Sequence, residues 1–98
     1  MDDANFEWDD AKNRSNQKKH GIGFDFATRV FSDPRMWLFP GDYEDDEERW
    51  RAYGRVGGQA IIMVAHRYRS DEGNEKIRII SARLATRHER QEYERENG

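Results

Sequence analysis

From Arg49 to Val56 the chain alternates without a break, Trp50, Ala52, Gly54 and Val56 against Arg49, Arg51, Tyr53 and Arg55, and Gly57-Gly58 follows at once. Successive side chains of a strand point to opposite sides, so the segment predicts a strand with one apolar face and one cationic face. Two adjacent glycines supply the positive φ that a two-residue hairpin turn demands, and the run Gln59 to Arg69 reads as the returning strand. Within it, both parities of Ala60 to Ala65 are apolar, which predicts a central strand covered on two sides, with helices as one cover and a partner chain as a candidate for the other.

The other segments arrange themselves around this hairpin. Phe6-Glu7-Trp8 has the alternation of a short strand, Asp9 or Asp10 can cap a helix, and that helix should run to about His20, with Lys18 and Lys19 in its last turn and Gly21 beyond it. Phe24, Ala27, Val30 and Phe31 fall at helical spacing, and Ser32-Asp33-Pro34 closes a second, short helix. Met36 to Phe39 is expected to be a strand ending at Pro40-Gly41, and Lys76 to Ala82 another, reached through a polar turn at Ser70 to Asn74. Thr86 and Glu89 have the spacing of a capping box, so a last helix should begin there and run towards Arg95. The order predicts an α+β fold: a mostly antiparallel sheet with N-terminal helices and a C-terminal helix. A chain of 98 residues has room for one core, so residues 1–98 are expected to form a single domain.

That core must be small. Hydrophobic residues make up 35 % and charged residues 38 %, so burial has to lean on Phe6, Trp8, Phe24, Phe31, Trp37 and Trp50. The absence of cysteine excludes disulfides, thiolate metal sites and a thiol nucleophile. The three histidines lack the spacing of a zinc site, and no cofactor is expected. No apolar run approaches the ~20 residues that span a bilayer. The start, Met-Asp-Asp-Ala, lacks the basic opening of a signal peptide, so a cytoplasmic protein without a membrane partner is expected.

The formal charge of −3 conceals an asymmetry: residues 1–48 carry 6 Lys and Arg against 13 Asp and Glu, whereas residues 49–98 carry 11 against 7. Much of the acid lies in one run, Asp42 to Glu48, whose plain reading is a solvated loop, so a basic surface can coexist with a low pI. Arginines and histidines distributed over strands and helix ends suit a phosphodiester. Cleaving RNA without a metal needs a base for the 2′-OH, cations for the charge growing on the phosphate, and an acid for the leaving oxygen. Arg supplies the fork for two phosphate oxygens and His exchanges protons near neutral pH. Each has a structural alternative: Arg51, Arg55 and Arg90 as a solvated face, Arg78 between Ile77 and Ile79 in a salt bridge, His20 as a helix cap, and His88 as an exposed ring.

Two long stretches carry a resemblance. Phe6-x-Trp8-Asp9-x-x-Lys12-x-x-x-Asn16-x-x-Lys19-His20-Gly21-Ile22-x-Phe24-x-x-Ala27 and Ile77-Arg-Ile-Ile-Ser-Ala-Arg83-x-Ala85-Thr86-Arg87-x-Glu89-Arg90-x-x-Tyr93 resemble the BrnT toxins of bacterial type II toxin–antitoxin systems, with Glu48-Arg49, Gly54 and His66 also where that pattern has them. The resemblance implies a RelE-like fold and an endoribonuclease that inhibits translation; the lack of a metal-ligand pattern adds the expectation that it acts without a metal. The resemblance also implies neutralisation by a BrnA-type antitoxin, a toxin dimer within a heterotetramer, and DNA contact through the antitoxin alone. The site expected comprises His20, His66, Arg49, Arg78 and Arg83 as catalytic groups, with His66 or His20 as base or acid, and Lys12, Lys19 and Arg51 as substrate-binding groups. Against this stand two alternatives: Trp8, Lys12, Asn16 and Arg83 serve the fold, or the basic face belongs to a binding module, for nucleic acid or protein, that cuts nothing.

Overall fold

The alternating segment and its glycine turn form the hairpin at the middle of a five-stranded sheet. The computed structural model describes residues 5–44, 47–58 and 60–97, with side chains for all of these except 42–44, 71 and 97. Met1 to Ala4, on which the signal-peptide argument rests, Asp45 and Asp46 of the acidic run, and Gln59 lie outside the described residues.

Strand β1 is Phe6–Glu7, β2 Trp37–Glu44, β3 Glu47–Val56, β4 Ala60–Asp71 and β5 Asn74–Leu84, arranged in the order β1-β5-β4-β3-β2. The pairs β2–β3, β3–β4 and β4–β5 are antiparallel, and β1 runs parallel to β5. Gly57 and Gly58 adopt φ of 69° and 90°, a conformation that side chains resist, but Val56 pairs with Ala60, so the turn is one residue longer than the two-residue turn expected. Two expected boundaries move. The strand begun near Met36 does not stop at Pro40-Gly41 but continues to Glu44 through a register shift between Pro40 and Tyr43; β2 is an edge strand, where a residue without an N–H is tolerated. The polar turn of Ser70 to Asn74 contracts to Glu72-Gly73, because β4 and β5 pair as far as Asp71 and Asn74.

Helix α1 spans Asp10–His20, with the Asp9 carboxylate accepting the N–H groups of Ala11 and Lys12 at 2.8 and 3.1 Å. The second helical segment divides into α2, Phe24–Ala27, and a 3-10 helix, Thr28–Ser32. Ile22, Phe24, Ala27 and Val30 pack on Ala52, Val56, Ile62, Val64, Ile79 and Ala82 to form the main core. Gly54 lets the helices come this close, since a Cβ there would lie 2.8 Å from Val30. The other face of the hairpin is covered in part by α3, Arg87–Asn97, whose Tyr93 is buried with Tyr53, Ile61 and Met63. The chain's own C-terminal helix therefore supplies a second cover for Ile61 and Met63, the place where the sequence had left room for a partner chain. Among the described residues no helix is long and apolar enough to cross a membrane.

α1 has no apolar stripe; of its residues only Asn16 is buried. The Asn16 amide donates to the carbonyls of Ile22 and Ala82 at 3.0 and 2.8 Å and accepts the Ala82 N–H at 3.2 Å. β1 pairs only with Ile77 and Arg78, so Asn16 takes over the edge of β5 where β1 stops. Removing it strands buried backbone groups, which costs about 1–3 kcal/mol. Asn16→Ala is expected to lower the urea midpoint by that amount with an unchanged m-value. Asn16→Asp should cost at least as much, because it turns a carboxylate towards two carbonyls.

Candidate nucleic-acid interface

Beyond the N-terminal turn of α3, the sheet face away from α1 and α2 carries arginines from three neighbouring strands. Alternation puts Arg49 and Arg51 of β3 on this face with Tyr53, and Arg67 and Arg69 of β4 on it with Ala65. Arg78 stands opposite Arg67, and Arg83 opposite Met63. Arg78 and Arg83 are an odd number of residues apart, so strict alternation would send them to opposite faces. The register shift between Ala65 and His66 prevents this: Ser81 pairs with Ala65 and Ile79 with His66, leaving Ile80 as the extra residue.

Among the described residues, three carboxylates pair with guanidinium groups of this face. Glu7 receives Arg69 through Nε at 2.6 Å and Nη2 at 2.7 Å, with Arg78 at 3.5 Å, and Glu47 pairs with Arg67. Glu89 receives Arg83 at 2.8 and 3.1 Å, the Tyr53 hydroxyl at 2.9 Å, and Arg51 at 3.8 Å. Its hydrogen bonds from Arg83 hold the Glu89 carboxyl down at about 2, and those from Arg69 do the same for Glu7. Glu89 also closes the expected capping box, accepting the Thr86 N–H at 2.9 Å while Thr86 Oγ1 accepts the Glu89 N–H at 3.1 Å. Beside this cluster Trp37, Phe39, Arg51, Tyr53, His88, Glu89 and Glu92 line a cleft of about 260 Å³.

The expected site does not assemble as one. Arg49, Arg51, Arg78 and Arg83 share the face just described. His66 lies on the opposite side, fully buried, its ring edge-on to Phe31 at 5.0 Å and Tyr68 at 5.1 Å. Its Nδ1 is 3.0 Å from the Val64 carbonyl and its Nε2 3.3 Å from the Tyr68 hydroxyl. Burial pushes its pKa below the usual histidine value, so it is a neutral ring in the core and does not meet the arginines. Lys12, Lys19 and His20 are exposed along α1, at the β5 edge of the sheet and away from the Glu89 cluster. Trp8 packs on Phe24 at 6.1 Å between ring centres and Asn16 bonds β5, so these two serve the fold, as the alternative had it.

A family model described as the ribonuclease toxin, BrnT, of type II toxin–antitoxin systems matches residues 8–89. The chain belongs to that family. The crystal structure of the Brucella abortus ribonuclease toxin BrnT is similar in sequence and fold: 29% identity over 84% of this chain and 96% of that one, with a TM-score of 0.59. No curated protein matches. The BrnT match takes in Arg49, Arg51, Arg67, Arg69, Arg78 and Arg83, and ends on Glu89. Tyr53, Glu89 and His88 are the members of this cluster that the sequence did not bring forward. Tyr53 was legible as a companion of Arg51 on one strand face. Glu89 was fully explained as a cap, which left no sign of its second bond.

A carboxyl held at about 2 in the fold against an ordinary 4.5 binds its proton less tightly when folded, so its contribution to stability is present above pH 4.5 and is lost as pH falls towards 2. Glu89→Gln should lower the urea midpoint at neutral pH, and its curve should converge on that of the wild type as the pH falls through this window.

Proposed function

We propose that this chain is an endoribonuclease that works without a metal and stops translation in the cytoplasm, and that a BrnA-type antitoxin silences it by covering the arginine face. The observation that carries the reading is the placing of Arg49, Arg51, Arg78 and Arg83 on one side of three paired strands, with a β-bulge that turns the last two to the same face. Guanidinium forks bind phosphate oxygens in pairs and stabilise the charge that grows on them during attack by the neighbouring 2′-OH, which leaves a cyclic phosphate. Arg51, 3.8 Å from Glu89 and with its side chain 39 % exposed, keeps donors for a phosphate, while Arg83 is clamped by two bonds and holds Glu89 in place. With His66 enclosed, the ring beside Arg51 that can exchange a proton is His88. Lys12, Lys19 and His20 fall outside the centre of this reading. The assembly it implies is a toxin dimer bound by antitoxin, with DNA contacted only by the antitoxin.

Purified protein is expected to cut total RNA in the presence of EDTA. Arg51→Ala should slow the reaction about 10²-fold or more, the usual cost of losing a preorganised charge stabiliser. His66→Ala should instead lower stability, and a folded His66→Ala protein with a lost rate would return that ring to the site. Loss of all cleavage in EDTA would end the metal-free mechanism.

Expression of the chain alone should arrest bacterial growth, and co-expression of its antitoxin should relieve the arrest. Binding between the two should weaken as salt rises, because charge pairs on a surface are screened. Unimpaired growth at good expression would favour a binding module that cuts nothing.

A further inference from the structure

We propose that the cleft between β2 and the first turns of α3 is a nucleobase subsite, in which an unpaired base of the RNA stacks on Phe39 while its phosphate meets Arg51. The inference rests on the ribonuclease reading and adds to it the part of the substrate that the sheet edge recognises. Phe39 is 44 % exposed on edge strand β2 and stands directly opposite Arg51 in the β2–β3 register. It continues a row of rings: Phe39 lies 5.5 Å from Trp37, and Trp37 lies 5.1 Å from Tyr53, whose hydroxyl bonds Glu89. A single exposed aromatic needs no explanation. A backed row of aromatics whose outer ring is bare and whose next neighbour is a guanidinium has the two parts of a single-strand subsite, a stacking platform and a cation for the backbone.

The two carboxylates in the cleft do not oppose this. Glu89 is engaged by Arg83, Tyr53 and Arg51, and Glu92 by Arg95, so their charge is met from within the chain. His88 closes the far wall 3.9 Å from Glu92, and the cleft of about 260 Å³ opens to solvent beside it. Leu38, another exposed apolar residue of β2, pairs with Ala52 and so points to the opposite face, away from the row.

The test compares a short 2′-O-methyl oligoribonucleotide, which cannot be cut, with an abasic oligonucleotide of the same length and charge. Wild-type protein should bind the base-bearing strand about ten-fold tighter or more, in line with stacking on one aromatic platform. Phe39→Ala should remove most of that preference while leaving abasic binding unchanged, and Phe39→Trp should restore it. Binding of the base-bearing strand should quench the emission of Trp37, and the quench should vanish in Trp37→Phe. Equal affinity of the wild type for both strands overturns the subsite and leaves the arginine face standing; no affinity for either overturns the ribonuclease reading itself. A Phe39→Ala protein that keeps its preference, or that loses only its antitoxin, also overturns the subsite and assigns the row to a protein partner.

Discussion

Everything in this protein hangs on the register of the β3–β4 hairpin. Two glycines at positive φ close it with Val56 opposite Ala60, and from that fixed point each side chain is committed to one face. Trp50, Ala52, Val56, Ile62 and Val64 go to the helices, and Arg49, Arg51 and Arg67 go to the other side. A slip of one residue would place guanidinium groups in the core and leave apolar groups in water, so the apolar helices and the charged face enforce the same pairing.

Glu89 shows how a lean core is extended by polar contacts. One carboxylate caps α3, clamps Arg83 and accepts the Tyr53 hydroxyl, so the helix start is tied to two neighbouring strands by a residue that faces the arginines. Tyr93, four residues further along α3, pairs with Asp33 beyond the 3-10 helix and buries its ring against Tyr53, Ile61 and Met63. The C-terminal helix is in this way fastened at two points to opposite parts of the fold. Asn16 plays the same kind of part for α1, a helix with no apolar face, by bonding the free edge of β5. Capping and edge-pairing polar groups therefore hold in place two of the three helices, while the apolar core proper is built by the short segment from Ile22 to Val30.

The same sheet separates two kinds of environment a few ångströms apart. On one side His66 is enclosed by Phe31, Tyr68 and the Val64 carbonyl, where desolvation keeps it neutral. On the other, Glu7 and Glu89 keep their charge far into acid because arginines surround them. The division puts the chain's buried imidazole on the helical side and the arginines with their carboxylate partners on the open side.

The sequence by itself determined the strands, the helices, the capping box, the α+β class and the family, because each is written in local signals: alternation, glycine pairs, caps, and two long motifs. It also put Arg49 and Arg51 correctly on one face, since within an uninterrupted strand the two-residue period decides direction. Only the tertiary structure decided where Arg78 stands relative to Arg83, because the parity of β5 is reset by a bulge at Ile80 that no local residue announces. The same holds for His66, whose face was readable from Trp50 across the hairpin but whose burial depends on Phe31 arriving from a distant helix. It holds again for the second cover of β4, which the chain supplies through Tyr93. Local rules fix which way a side chain points within its own element; which side chains end up together depends on pairings between elements far apart in the chain, and these are settled only when the sheet closes.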